Sequence, residues 1–336
     1  MAPEPPLHRP PEPPLASDID SRLTGCIRQA ASPAVEIVPP MIVHPHPLEL
    51  AASLGCWSGK VDPVPLPGGL TNTNFIVEDG GRRYVVRIGG DMAVHGIVRS
   101  IELAASRAAA AAGISPIVVH AEPGAMVLDY IEGKTLAAED IRDPRNLPRL
   151  IRLIRHAHRD IPRYFRGPAP MFWPFQVIRD YTHTLEEGES HYLPMLVGLL
   201  DAADRLETAI GPIELVFGHN DLLAANFIDD GTRIWLVDWD YAGFNSPLFD
   251  LGGLASNNQL DTAATDALLE LYFERPLDPV LRRKAFAMQA ASLLRETMWS
   301  MVSEIHSALP VDYVPYTAEN LRRFEVALAA FDDLER

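Results

Sequence analysis

The sequence predicts an α+β protein in which a small β-rich lobe precedes a larger, mainly helical lobe. Three observations carry that expectation. Strand-like apolar runs separated by glycine turns crowd the chain between residues 60 and 130. Beyond Gly133, six long segments carry apolar residues at helical spacing. One island of short apolar runs and polar loops interrupts those helices. The 336 residues are 47% hydrophobic, enough to bury a sizeable core. The expected division is a proline-rich arm over 1–46, the first lobe over 47–130 and the second over 131–336.

Each element has its own signal. Twelve of the thirty prolines fall in the first fifty residues, a composition that favours polyproline II and builds no core, so the arm reads as disordered. Strand-like runs at 73–78 and 83–88 flank Asp79-Gly80-Gly81, a hairpin signal. Segment 98–112 is helical in composition and stops at Gly113 ahead of Pro116. Runs at 117–120 and 126–128 complete a small mixed sheet. Helices are expected over 146–158, 175–187, 192–209, 261–273, 281–305 and 317–334. The island contributes short strands at 215–217, 227–228 and 234–237. No internal repeat is visible.

Charge excludes some functions. Lys and Arg total 29 against 45 Asp and Glu, a formal net charge of −16. Such a balance argues against nucleic acid and against an anionic membrane surface as partners. Only Lys60, Lys134 and Lys284 are lysines, so arginine supplies almost all positive charge. Cys26 and Cys56 are too few for a disulfide framework and fit a reducing compartment. No apolar run approaches the ~18 residues of a membrane helix. The expected setting is soluble and cytoplasmic.

The island reads VFGHNDLLAANFIDDGTRIWLVDWDYAG. His219-x-Asp221 is followed by four residues and Asn226, and Asp238 comes twelve residues later at the end of a strand. That pattern suits phosphoryl transfer from a metal nucleotide. Asp221 would take the proton of an acceptor hydroxyl. Asn226 and Asp238 would supply hard oxygen ligands to Mg²⁺. His219 would brace the loop rather than act on substrate.

HNDLLAAN followed by VDWD resembles the aminoglycoside phosphotransferase and choline/ethanolamine kinase superfamily, relatives of the protein kinases. The match narrows at Asp238-Trp239-Asp240-Tyr241, Asn245 and Phe249-Asp250, which is similar to the corresponding segment of choline/ethanolamine kinases. The resemblance spans roughly residues 60 to 335. It implies a bilobal, protein-kinase-like fold, ATP and Mg²⁺ as cosubstrates, Asp221 as base, and Asn226 and Asp238 as metal ligands.

Such a nucleotide site needs a glycine turn, which Gly68, Gly69, Thr71 and Asn72 offer, and a cation on the third strand, where Arg87 stands. Glu102 on the following helix would orient Arg87 toward the phosphates. Segment 126–133 resembles the hinge between the lobes, with Asp129 and Ile131 meeting the adenine through their backbones. Glycine turn, cation, acid, hinge, base and metal ligands occur in the order the superfamily requires.

The acceptor is open at this stage. Choline or a related amino alcohol such as ethanolamine is the first reading. An aminoglycoside, thiamine or another hydroxyl metabolite is the second, and a nucleotide-binding scaffold without catalysis is the third. A quaternary ammonium would need an aromatic box and nearby acids. Trp299 matches the second tryptophan of the W-x-x-W pair of choline kinases, but Glu296 stands at the first. Asp240, Tyr241 and Asp250 are further candidates for the wall, while Trp173 and Tyr181 read rather as core. His156 and His158, two apart on a helix, read as surface residues.

Overall fold

The computed structural model describes residues 46–69, 71–307 and 311–334. All of the proline-rich arm except His46 lies outside the described residues. The first lobe opens with helix α1 (Pro47–Ser53) and continues through β1 (Val64–Leu66), β2 (Thr73–Asp79), β3 (Arg82–Ile88), α2 (Arg99–Ala111), β4 (Val118–Glu122) and β5 (Ala125–Asp129). The strands form one antiparallel sheet in the order β1-β2-β3-β5-β4. Phe75, Val77, Val86 and Val127 point to one face and are sealed by Ala51 and Leu54 around α1. On β3 the alternation breaks at Arg87, which is buried among its apolar neighbours. A buried guanidinium must find carboxylates, and it does so at the site described below.

The second lobe runs β6 (Lys134–Thr135), α3 (Ala138–Arg142), α4 (Leu147–Tyr164), α5 (Pro174–Glu187), α6 (Leu193–Ile210), β7 (Val216–Gly218), β8 (Phe227–Asp229), β9 (Ile234–Leu236), β10 (Gly243–Asn245), α7 (Pro247–Asn257), α8 (Thr262–Phe273), α9 (Pro279–His306) and α10 (Val314–Asp333). Helix α9 is the axis of the lobe and packs against α5, α6, α7 and α10. It is buried nearly all round from Ala285 to Ser303, as a central core helix must be. Two small sheets, β7–β10 and β6–β8–β9, carry the island's loops. No helix among the described residues is long and apolar enough to cross a membrane.

All six long helices expected beyond Gly133 form; α4 runs on to Tyr164, six residues past its expected end, and the other ends agree within a few residues. Helix α7 carries no such signal, because PLFDLGGLASN is apolar on every side and holds two glycines. The glycines permit close packing instead of breaking the helix. A Cβ at Gly252 would lie 3.0 Å from the Gln289 backbone nitrogen on α9.

Candidate active site

The loop after β7 carries the motif and is held from behind. Asn220 and Asp238 both adopt left-handed backbone, with φ of 64° and 73°. Such strain costs roughly 1–3 kcal/mol per residue and persists only where neighbours over-determine it. The Asn220 amide donates to the carbonyls of Tyr241 (2.9 Å) and Gly243 (3.3 Å), and its oxygen accepts from Asn245 (3.0 Å). Asp250, on α7, accepts from the backbone N–H groups of His219 (2.8 Å) and Asn220 (2.7 Å). Its third donor is His158 Nε2 on α4, at 2.8 Å.

These contacts correct two expectations. Asp250 is 2% exposed, with its oxygens turned to the backbone of the loop after β7, so it braces that loop and forms no acceptor wall. Burial alone would raise its pKa; the His158 contact and the two imidazoles outweigh it and hold the carboxyl below its usual range. His158 is no surface residue either. It is buried between Asp250 and the Tyr272 hydroxyl, 2.8 Å from its Nδ1. His219 is tied to the strand end: its Nε2 donates to the Val237 carbonyl at 2.9 Å, and burial pushes its pKa down.

Asp221 is half-buried, and no hydrogen bond to its carboxylate forms among the described residues. Burial raises its pKa well above the ordinary value; the Glu296 charge adds to this, and Arg295 opposes it. Asn226 donates its amide N–H to the Asp221 carbonyl at 2.9 Å, and its amide oxygen has no partner among the described residues. Among the described residues Asp238 engages Arg87 through Oδ1 alone, at 2.7 Å. An amide oxygen and a carboxylate oxygen are hard donors of the type Mg²⁺ takes, so the residues fit that ion.

Arg87 gathers three acids. Its Nη2 lies 2.7 Å from Asp238 and 2.8 Å from Asp240, and its Nε lies 3.1 Å from Glu102. The expected Arg87–Glu102 pair is therefore present. Carboxylate oxygens of Glu102, Asp238 and Asp240 all come within 4.8 Å of one another. Burial raises the pKa of Glu102, while the Arg87 and Arg99 charges overcome burial and hold Asp240 low.

Asp240 also departs from expectation. Its Oδ2 accepts from the Thr71 hydroxyl (2.6 Å) and the Asn72 amide (3.2 Å), and its Oδ1 from Arg99 (3.0 Å) as well as Arg87. Both of its oxygens are thus taken up by the glycine-turn residues and the two arginines, which leaves it no part in an acceptor wall. Arg99 escaped the sequence reading, although its place three residues before Glu102 puts the two on one helix face. Besides Asp240 it binds Glu102 at 2.7 Å and the Thr71 carbonyl at 2.8 Å. Gly68 and Gly69 take φ of 108° and 91°, a backbone that side chains rarely allow. At the hinge, the Asp129 N–H donates to Ile117 and that of Tyr130 to Arg83. The Ile131 N–H has no partner among the described residues.

Trp299 Nε1 donates to the Tyr241 hydroxyl at 2.9 Å. Glu296 accepts from Arg295 (2.9 Å) and from the Tyr316 hydroxyl (2.6 Å). Trp173 instead donates to Glu207, and Tyr181 is buried in the core.

The family model described as the phosphotransferase enzyme family matches residues 62–287, about two thirds of the chain. The chain belongs to the phosphotransferase enzyme family. Within that family it is similar to Protein LicA of Haemophilus influenzae, 24% identical over 283 residues that cover 80% of this chain and 79% of that protein. A probable ethanolamine kinase of Arabidopsis thaliana is 27% identical over 237 residues, covering 64% of this chain and 62% of that one. The crystal structure of a choline/ethanolamine kinase family protein from Mesorhizobium loti superposes with a TM-score of 0.69 and 28% identity, over 85% of this chain and 99% of that one. The fold is thus protein-kinase-like, and this family member is a phosphotransferase whose relatives include ethanolamine kinases.

Proposed function

We propose that the protein transfers the γ-phosphoryl group of Mg²⁺–ATP to the hydroxyl of a small amino alcohol, choline or ethanolamine. One observation carries this reading: the carboxylate of Asp221, unpartnered among the described residues, lies in the electrostatic field of Glu296, Arg295, Asp238 and Asp240, and Asn226 donates to the carbonyl of the same residue.

In this reading the acceptor hydroxyl approaches Asp221, which receives its proton as the oxygen attacks the γ-phosphorus and ADP leaves. The raised pKa of Asp221 makes it a stronger base than an exposed aspartate. Arg87, oriented by Glu102, holds the phosphates in line. Asn226 and Asp238 hold Mg²⁺, which when bound neutralises charge on the phosphate oxygens. Thr71 and Asn72 close the glycine turn against Asp240, and the free Ile131 N–H meets the adenine edge. A cytoplasmic setting, where ATP is plentiful, fits the reading.

The test is ADP release against a panel of alcohols, with Asp221→Asn as control. Choline or ethanolamine should be turned over, and Asp221→Asn should lower kcat by about 10²–10⁴-fold, the usual contribution of a positioned base, while ATP still binds. Turnover of only an aminoglycoside or thiamine, or near-normal turnover by the variant, would refute it.

A further inference from the structure

The rings that would box a quaternary ammonium are covered by the chain's own groups. Trp299 is 5% exposed. His95, from the linker between β3 and α2, lies against it with centroids 4.9 Å apart and planes 30° apart. Both nitrogens of His95 are held, Nδ1 3.3 Å from the Tyr181 hydroxyl and Nε2 3.2 Å from that of Ser303. Tyr313 and Tyr316 meet the same indole edge-on. Tyr241 is 8% exposed, and the Arg295 guanidinium sits 4.4 Å from its ring centre.

Arg295 is itself buried, and its Nε and Nη2 have no hydrogen-bond partner among the described residues. Its contacts are instead the Tyr241 and Phe172 rings, the latter at 5.4 Å, and the Glu296 carboxylate. A trimethylammonium head binds through ring faces within about 6 Å. Neither Trp299 nor Tyr241 offers it an open one.

The groups left within reach are polar. Tyr316 is exposed, and each oxygen of Glu296 has accepted a single hydrogen bond. A carboxylate oxygen has room for a second. An ammonium with N–H groups can use that capacity, and a fully methylated nitrogen cannot.

We infer that Arg295 and His95 set acceptor specificity: by filling the faces of Tyr241 and Trp299 they exclude a trimethylammonium head, and the Glu296–Tyr316 pair selects an amino alcohol whose nitrogen carries N–H. This rests on the phosphotransfer proposed above.

The test is kcat/KM of the full chain with Mg²⁺–ATP for 2-aminoethanol and its N-methyl, N,N-dimethyl and N,N,N-trimethyl derivatives. The value should fall along the series, ending at least about tenfold lower, as expected when a hydrogen bond to a charged group is lost. Arg295→Ala, which removes the group over the Tyr241 ring, should narrow the gap by raising the trimethyl compound. Glu296→Gln should narrow it by lowering 2-aminoethanol. A trimethyl compound as good as 2-aminoethanol in the wild-type chain overturns the inference and leaves the proposed function standing. Gaps unchanged in both variants overturn the assigned residues. Turnover of none of the four overturns the proposed function and this inference with it.

Discussion

Replacing Asp250 by asparagine would test whether the loop after β7 is held from behind. The carboxylate accepts three buried hydrogen bonds, two from the loop backbone at His219 and Asn220 and one from His158. An amide oxygen in the Oδ2 position keeps two of them and turns an NH₂ group toward the Asn220 N–H. At about 1.5–3 kcal/mol for a hydrogen bond to a charged group, with a donor left facing a donor, the loss is about 2–4 kcal/mol. That is a large share of the ~5–15 kcal/mol that holds a typical domain together. Asn220 would also lose a support for its left-handed backbone, so Asp221 would shift. A displacement of about 1 Å costs on the order of 10²-fold in rate. Urea unfolding and kcat measured on the same preparation check both effects. A variant within about 0.5 kcal/mol of wild type, the usual range of a surface substitution, with unchanged kcat would show that Asp250 does not support the loop.

Two further predictions concern stability. Burial, with the Arg295 charge adding to it, lowers the pKa of His95 to about 3, so the folded chain keeps the imidazole neutral where the unfolded chain, with a pKa of about 6.5, takes up a proton. The unfolded state binds more protons below that value. Stability is therefore full above pH ~6.5 and falls as pH drops toward 3, by about 1.4 kcal/mol at pH 5.5. Urea midpoints of wild type and His95→Gln between pH 5.5 and 7.5 measure this, and equal pH slopes would refute it. Gly252→Ala places a methyl group 3.0 Å from the α9 backbone. It should destabilise by about 1–3 kcal/mol, despite alanine's advantage of about 1 kcal/mol in a helix. A raised melting temperature would contradict that packing.

Periodicity made the hairpin β2–β3, helix α2 and the long helices of the second lobe legible. These segments bury one face, so their apolar spacing reports their geometry. Helix α7 buries every face and has no period to read. The loop after β7 stood out in the sequence because its spacing is chemical: His219, Asp221, Asn226 and Asp238 follow the motif, and the structure shows the Asn226 amide bonded to the Asp221 carbonyl. The acids around it were assigned less well. Asp240 and Asp250 sit in a run of polar and aromatic letters that announces a site, but their roles depend on donors distant in sequence. Asp240 meets Thr71, Arg87 and Arg99, and Asp250 meets His158. Arg295 was missed because a basic residue amid core positions resembles a solvated one until the fold buries it.

Arginine at the third strand has a consequence for handling the protein. Amine-directed nucleotide reagents, which mark a lysine beside the phosphates, find no amine at Arg87. Lys134, on β6, is exposed and bound to Asp140. The guanidinium also keeps its charge throughout the working pH range. Any alkaline fall in turnover must therefore come from a group other than this cation.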